Sequence, residues 1–421
     1  MFGWEFPPHY SGGLGVACHG LAKALSQEND VELTFVLPRQ MDTNADFMKM
    51  IFADIPRVNV RTVNSTLYPY VTSDAYKKLH LKNKSSLYGP GLFEEVARYA
   101  LCAQKIAQKE SFDIIHAHDW LAYPAGIEAR AVSGKPLVVH VHATEFDRTG
   151  GESINQHVYE IEKEGMEEAD HVVTVSDFTK QHVIHRYGIP SHKVTVIHNG
   201  INSEEYDYEL PPLQERVTEL KRAGNKIVLF VGRITLQKGP DYFVRVARRV
   251  LAYKPNTYFI IAGSGDMERQ IIEQAAYLGI GDRVLFAGFM RGNELNALYR
   301  EADLFVLPSV SEPFGLVPLE ALANKTPALI SKQSGVSEIM TNILKTDFWD
   351  IDEMTNKIVA VLTHDSLRTT LAENGKKETY RLNWAHAAKK CVDLYNKLLR
   401  LKIAYICSLK RTTRQNDPRS S

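Results

Sequence analysis

The sequence predicts an α/β protein built from two doubly wound parallel sheets, and three observations carry that expectation. Short apolar runs alternate with amphipathic helical stretches along most of the 421 residues. Most of those runs are continuous Val, Ile, Leu or Phe with little polar alternation, as in strands buried on both faces. No internal sequence repeat is present, which argues against a solenoid. The length leaves room for roughly two or three domains of about 150 residues.

The expected strands of a first series are Val31–Leu37, Ile114–Ala117, Leu137–Val141, His171–Val175 and Lys193–Ile197. A second series runs Ile227–Val231, Tyr258–Ala262, Arg283–Ala287, Leu304–Leu307 and Pro327–Ser331. Helical spacing is clearest in Asp241–Ala252 and Met267–Leu278. Between the two series, Tyr206–Leu213 carries two prolines and Gln214–Gly224 is charged, so the domain boundary is expected near 203–225. This divides the chain into a first unit, 1–205, and a second, 206–383, facing a cleft where ligands of such sheets bind. A last amphipathic helix is expected at about Ala385–Leu399, with 401–421 a frayed, disordered tail. Met1–Pro8 reads as the end of a first strand, with the true start expected upstream.

Composition narrows the function. Hydrophobic residues make up 44% and charged residues 24%, ordinary for a soluble globular protein. Fifty basic residues balance 50 acidic ones, which argues against a general nucleic-acid binder. Cysteines 18, 102, 391 and 407 show no CxxC spacing, so a reduced, cytoplasmic setting is expected. Glu5, Pro7, Pro8 and His9 interrupt any signal-peptide core, and no apolar run reaches the roughly 18–20 residues of a transmembrane segment.

Four groups of residues carry candidate chemistry. Ser11–Gly15 (SGGLG) precedes an apolar helical pattern, so its amides could meet an anion at a helix N-terminus; a plain tight turn is the alternative. Cys18 stands where a GxGxxG motif needs its last glycine, and no GK[ST] follows. Arg233 and Lys238 lie in a loop that leaves a buried strand and enters a helix at Pro240, a place to hold a diphosphate. Flanking Gly232 and Gly239 favour that over two solvated cations. In Ser311–Glu320, Glu312 and Glu320 bracket a Gly-containing strand-to-helix turn, with an Ala/Leu-rich helix expected from about Pro318; the alternative is a helix cap and a solvated face. Finally, His116/His118 and His140/His142 are i, i+2 pairs that could chelate zinc, although Trp120 and Leu121 break the HxHxDH run and no further cluster completes a site. Polar clefts are also lined by such histidines without metal.

Together these motifs resemble the retaining GT-B glycosyltransferases, specifically glycosyltransferase family 4 and the glycogen and starch synthases. The resemblance spans about residues 2–400. It rests on Gly12-Gly13-Leu14, Tyr88-Gly89-Pro90, His118-Asp119-Trp120, His142, Asn199-Gly200-Ile201, Gly232-Arg233, Lys238-Gly239, Gly263-Ser264-Gly265 and the Glu312–Glu320 segment. It implies two Rossmann-like domains, with the second holding a nucleotide diphosphate sugar, ADP-glucose or UDP-glucose. Arg233 and Lys238 would grip the diphosphate and Glu320 the ribose. Glu312 with Phe314-Gly315-Leu316 would orient the transferred sugar, and His142 would reach the ring near its anomeric carbon. Asp119 would line the acceptor side, Gly12-Gly13 would close over the phosphates, and no cofactor or essential metal is needed. The helix after Trp384 would cross back to the first domain.

Four features depart from the family pattern. Tyr10 replaces the lysine that bacterial glycogen synthases carry just before Gly-Gly-Leu, and the opening strand is short. The usual Gly-rich stretch after Glu338 is replaced by Lys345-Thr346-Asp347-Phe348-Trp349-Asp350. No aromatic platform for the base stands out, leaving Met290 or Arg291 near it. The Tyr88–Gly91 and Ser11–Gly15 segments resemble α-glucan synthases, which makes a glucan or other saccharide the expected acceptor. A glycolipid or cell-surface polysaccharide is the alternative. A metal-dependent hydrolase built on the His-x-His pairs, and a nucleotide-sugar-binding protein without turnover, are the readings from other classes.

Overall fold

A computed structural model describes residues 1–8, 12–40, 45–53, 91–151, 153–208 and 215–415. Tyr10, Ser11, the Tyr88–Pro90 motif, the prolines near 211 and the last six residues lie outside the described residues.

In the first unit the strands are β1 (Thr34–Leu37), β2 (Lys49–Phe52), β3 (Ile115–His118), β4 (Leu137–Val141), β5 (His171–Thr174) and β6 (Val194–Val196). Phe2 bridges Val36 on one side and Ala117 on the other. The parallel sheet therefore runs β2-β1-(Phe2)-β3-β4-β5-β6. In the second unit β7 (Lys226–Val231), β8 (Thr257–Ala262), β9 (Val284–Gly288), β10 (Leu304–Leu307), β11 (Ala328–Ser331) and β12 (Leu344–Thr346) form a six-stranded sheet. Its order is β12-β11-β10-β7-β8-β9, and every pair is parallel. Both sheets are doubly wound, with the order reversing beside Phe2 and β3 in one and between β7 and β10 in the other. Loops at those two switch points open the crevices where such sheets bind ligands.

The apolar runs become the central strands because each is covered on both faces. Phe230, Phe243, Phe259 and Phe305 are fully buried in one contiguous core around β7–β10. Two strands differ from expectation: β2 and β12 carry no clear sequence signal. Both lie at sheet edges, and each is too short (β12 has three residues) for hydrophobic periodicity to declare it.

Helix Leu316–Ala323 begins before Pro318, where the sequence reading starts it. A proline is tolerated there because first-turn N–H groups have no intrahelical acceptor to lose. The last helix is Trp384–Gln415, so it continues through much of the stretch expected to be frayed. Neither glycine nor proline interrupts residues 401–415, which removes the usual stop signals. Its start packs on the first unit: Trp384, Ala387, Ala388, Cys391 and Leu394 share a core with Phe6, Leu21, Phe35 and Ile197. The Trp384 indole lies over Gly20, where a Cβ would come within 2.3 Å of the ring. Among the described residues, no helix is long and apolar enough to cross a membrane.

Candidate active site

The second unit's switch point gathers the predicted donor residues. After β7 the chain passes Gly232 and Arg233, makes a short 3-10 turn at Leu236–Lys238, and enters helix Pro240–Tyr253. Gly239 sits at φ 64°, and a Cβ there would lie 2.1 Å from the Pro308 carbonyl oxygen. Only glycine lets this turn press against the loop that follows β10. Across that contact Lys238 Nζ pairs with Glu312 Oε2 at 2.5 Å, and Ser309 Oγ donates to the same carboxylate oxygen at 3.2 Å. Gln237 ties the loops further: its side chain accepts from Arg233 Nη2 at 3.2 Å, and its carbonyl accepts from Val310 N at 2.9 Å. The Lys238 and Glu312 side chains are only 13% and 8% exposed, so each charge depends on the other for compensation.

Two helix N-termini face this pair of loops. Gly315, at φ 107°, caps helix Leu316–Ala323, whose first turn has neither a side-chain cap nor an acidic residue. Helix Gly13–Leu25 of the first unit begins the same way after Gly12. A Cβ on Gly12 would lie 4.0 Å from Arg233 Nε, so the two units meet there across the cleft, whereas Gly13 faces open space. Uncapped N–H groups, two helix dipoles and two cations form a setting suited to phosphate oxygens.

Phe314 is buried, and its carbonyl accepts from Val336 N and Ser334 Oγ, so the side chain anchors the turn from within the core. Leu316 packs against the cores of both units. Glu320 accepts from Tyr299 Oη at 3.3 Å, and burial raises its pKa. It lines a cavity of about 90 Å³ between the units, with Val16, Gly20, Gly200, Leu316 and Trp384.

The first unit presents His142 from the loop after β4. Asp119, a non-glycine residue at φ 61°, holds that loop. Its Oδ1 accepts from the backbone N–H of His142 at 2.9 Å and of Ala143 at 3.3 Å, while Oδ2 lies 3.5 Å from Arg148 Nη2. The expectation that Asp119 lines the acceptor side gives way to a different geometry. Its buried carboxylate turns inward to satisfy backbone donors, which makes it a positioning residue for His142.

Strand register brings both His-x-His pairs onto one face of the sheet, since His118 lies opposite His140. His116 stacks on His118, and His140 on His142, each with centroids 4.4 Å apart. His118 Nδ1 lies 3.0 Å from His142 Nε2, and His116 Nδ1 lies 2.6 Å from Tyr395 Oη. Burial lowers the pKa of all four. Among the described residues, His116 with His118 and His140, Cys18 with His118 and His142, and Asp177 with His198 and Glu338 place potential ligand atoms close enough to hold a metal ion.

Contacts across the cleft join the Ser311–Pro313 turn to residues that the sequence did not single out, Asp147 and Ser176. Ser311 Oγ donates to the buried Asp147 Oδ1 at 2.5 Å, and Ser176 Oγ donates to the Pro313 carbonyl at 2.5 Å. Glu338 accepts from Asp177 N and Phe178 N, capping helix Asp177–Tyr187 from the opposite unit. Gln237 adjoins Lys238 and could have been suspected on that ground; Asp147 and Glu338 have no local signal.

Comparison with known proteins agrees with this geometry. The model for Glycosyltransferase Family 4 matches residues 11–205, and that for glycosyl transferases group 1 matches 214–378. An uncharacterized glycosyltransferase of Methanocaldococcus jannaschii is 32% identical over 94% of this chain and 97% of its own length. A glycogen synthase of Mycobacterium tuberculosis is 29% identical over 81% of this chain and 80% of its own. Among solved structures, a sucrose-phosphate synthase of Thermosynechococcus elongatus aligns with TM-score 0.71 at 21% identity, covering 95% of this chain and 98% of that one. The Anabaena protein HepE, solved with UDP and glucose, aligns with TM-score 0.68 at 19% identity, covering 92% and 97%. The two facing doubly wound units, with the loops of Arg233, Lys238 and Glu312 at their cleft, belong to a GT-B glycosyltransferase of family 4.

Proposed function

We propose that this chain is a retaining hexosyltransferase that moves glucose from ADP-glucose or UDP-glucose to a growing α-glucan in the cytoplasm. The observation that carries the donor half is the Lys238–Glu312 pair beside Arg233, facing two uncapped helix N-termini. Residues 206–383 hold the donor and residues 1–205 present the acceptor, with 384–400 tying the second unit back to the first.

On donor binding, the diphosphate takes Arg233, Lys238 and the amides of Gly12, Gly13 and Leu316 as its partners. Lys238 then trades its carboxylate for phosphate, which frees Glu312 to accept hydrogen bonds from the sugar hydroxyls beside Phe314-Gly315. Glu320 accepts from the ribose hydroxyls. His142, held by Asp119, reaches the sugar near its anomeric carbon. As the glycosidic bond to the β-phosphate breaks, charge grows on the leaving diphosphate, and the fixed cations and dipoles stabilise it. A phosphate oxygen on the same face takes the acceptor proton while the new bond forms there, which keeps the anomeric configuration. The cations perform the electrostatic work here, so the transfer needs no metal or cofactor.

The glucan acceptor rests on the glycogen synthase relative and on the Ser11–Gly15 and Tyr88–Gly91 segments. The test is nucleoside diphosphate release from ADP-glucose and from UDP-glucose, in chelator, with glycogen, with maltotriose and without acceptor. Glycogen-dependent release from one donor is the expected result and names the base. Donor binding without glycogen-dependent release would overturn the glucan reading.

A further inference from the structure

The stretch that departs from the family pattern, Asp347–Asp350, ends in an unusual surface feature. Trp349 is 57% exposed, large for an indole on a folded surface. It meets Phe348 edge-on, with centroids 4.8 Å apart at 84°. Phe348 meets Tyr242 in the same manner, at 5.2 Å and 79°. The three rings form a chain rather than an isolated side chain.

Its position links it to the transfer site. All six strands of the second sheet are parallel, so the loop after β12 lies at the sheet end that carries Arg233 and Glu312. Tyr242 stands in the first turn of helix Pro240–Tyr253, with Cδ2 3.3 Å from where a Cβ of Gly239 would be. At the other side, Asp347 accepts from Gln333 Nε2 at 3.0 Å, and the Gln333 carbonyl accepts from Glu312 N at 2.9 Å. The aromatic chain therefore starts beside Lys238-Gly239 and is braced against the Glu312 turn. It leads outward to Trp349.

The charges around it select the partner. Arg249 pairs with Asp352 at 3.3 Å, Arg245 with Asp241 at 3.2 Å, and Lys332 with Asp347 at 2.9 Å. Cations and acids cancel pairwise, leaving no basic field for an anionic lipid surface or a phosphate. What remains is an apolar ring face flanked by groups that exchange hydrogen bonds with hydroxyls. That matches a neutral, hydroxyl-rich chain whose sugar rings present C–H faces to an indole and their edges to carboxylates and guanidinium groups.

We propose that Trp349, braced edge-on by Phe348 and through it by Tyr242, whose ring lies under Arg245, is an acceptor platform that holds a neutral polysaccharide away from the transfer point, favouring long chains over short ones. The proposal rests on the glucan reading above for its transfer assay, and the binding assay below is independent of that reading.

Trp349→Ala and Trp349→Phe leave the donor contacts untouched, so they probe the platform alone. In native gels containing glycogen, amylopectin or dextran, the wild-type chain is expected to be retarded by at least one polysaccharide. Trp349→Ala should lose most of that retardation, and Trp349→Phe should keep part of it. In the transfer assay, Trp349→Ala should raise KM for glycogen about tenfold while KM for maltotriose, KM for the donor and kcat stay within about twofold. Equal retardation of wild type and Trp349→Ala overturns the platform, as does the absence of retardation by all three polysaccharides. Trp349-dependent sedimentation with phosphatidylcholine or phosphatidylglycerol vesicles would assign the patch to a membrane instead. If no donor supports transfer to glycogen yet retardation remains Trp349-dependent, the glucan synthase reading fails and the platform stands.

Discussion

The two sheets share a winding pattern but bury different chemistry. Around β7–β10 the core is almost entirely hydrocarbon; among the described residues, Asp303 and Glu312 are the acids of that unit that lie buried, with Glu320 largely covered beside them. The first unit buries Glu5, Glu95, Asp119, Glu145, Asp147, Arg148 and Glu162 along with His116, His118 and His140. Thirteen of the 15 histidines fall within residues 1–205. In the second unit, the buried Lys238–Glu312 pair sits in the loops that would meet a diphosphate, and Asp303, just before β10, is paired with Lys221 and Lys226. In the first, a connected buried network shapes the loops: Arg148 pairs with Glu162 at 2.6 Å and approaches Asp119, which holds His142. A hydrocarbon scaffold suits fixed cations at a phosphate, whereas the hydrogen-bonded carboxylates inside the first unit specify loop shape one hydrogen bond at a time.

The largest expected effect tests the second unit. Lys238→Ala should lower kcat/KM by roughly 10²–10³-fold, the scale of losing one preorganised charge-stabilising group. Glu312→Gln should cost a similar amount while keeping the shape. Steady-state kinetics beside thermal melts would check both: lost activity with a lost fold would mean the pair is structural. Next in size, Trp384→Ala should destabilise the chain by about 3–5 kcal/mol, since the buried indole fills the space above Gly20 and leaves a cavity. Urea unfolding at fixed pH measures this. A change below about 1 kcal/mol would mean the last helix contributes little to the first unit.

Acid should separate the two units. Burial, joined by the charges of neighbouring histidines, holds the pKa values of His116, His118 and His140 well below 6.5. Below pH 6.5 the unfolded chain then binds more protons than the folded one, so stability is full above that pH and declines as the pH falls. Glu162 acts with the opposite sign. Burial raises its pKa to about 7 against Arg148, so its contribution is present in acid and lost as pH rises through about 7. The first unit should therefore have the narrower pH optimum. Hydrogen exchange at pH 5 and 6.5 should show protection falling in β3–β5 before β7–β10. A simultaneous loss would remove the contrast.

The same contrast explains what the sequence made legible. Central strands such as Lys226–Val231 and Leu137–Val141 are continuous apolar runs, and burial on both faces imposes that composition directly. Edge strands β2 and β12 are half-covered and short, so no comparable constraint marks them. Arg233, Lys238 and Glu312 were visible as residue types beside turns. Their pairing was not, because Lys238 and Glu312 lie 74 residues apart and meet only through the β7–β10 adjacency. The inward turn of Asp119 depends on its left-handed backbone, and the stacked histidines depend on the β3–β4 register. Neither has a local signature. Family resemblance supplied the rest of the proposed site by motif order, which short-range physics does not encode.

The smallest effect asks whether the two units are coupled. Ser311 Oγ reaches from the Glu312 turn to Asp147, a fully buried acid of the first unit. Burial alone would raise the pKa of Asp147, but His182, Ser311 and the Thr144 amide outweigh it and keep the group ionised. Ser311→Ala removes one of those donors and leaves the others, so the loss should be only about 1 kcal/mol. Within one rigid body that loss would appear as a slightly lower melting temperature and nothing else. Between units that must approach to enclose the donor, it falls on the closed arrangement. KM for the donor should then rise about fivefold with kcat nearly unchanged. A changed melt with an unchanged KM would mean that Asp147 and Ser311 hold the fold rather than the cleft. The polar interior of the first unit would then shape its own loops without reaching the donor site.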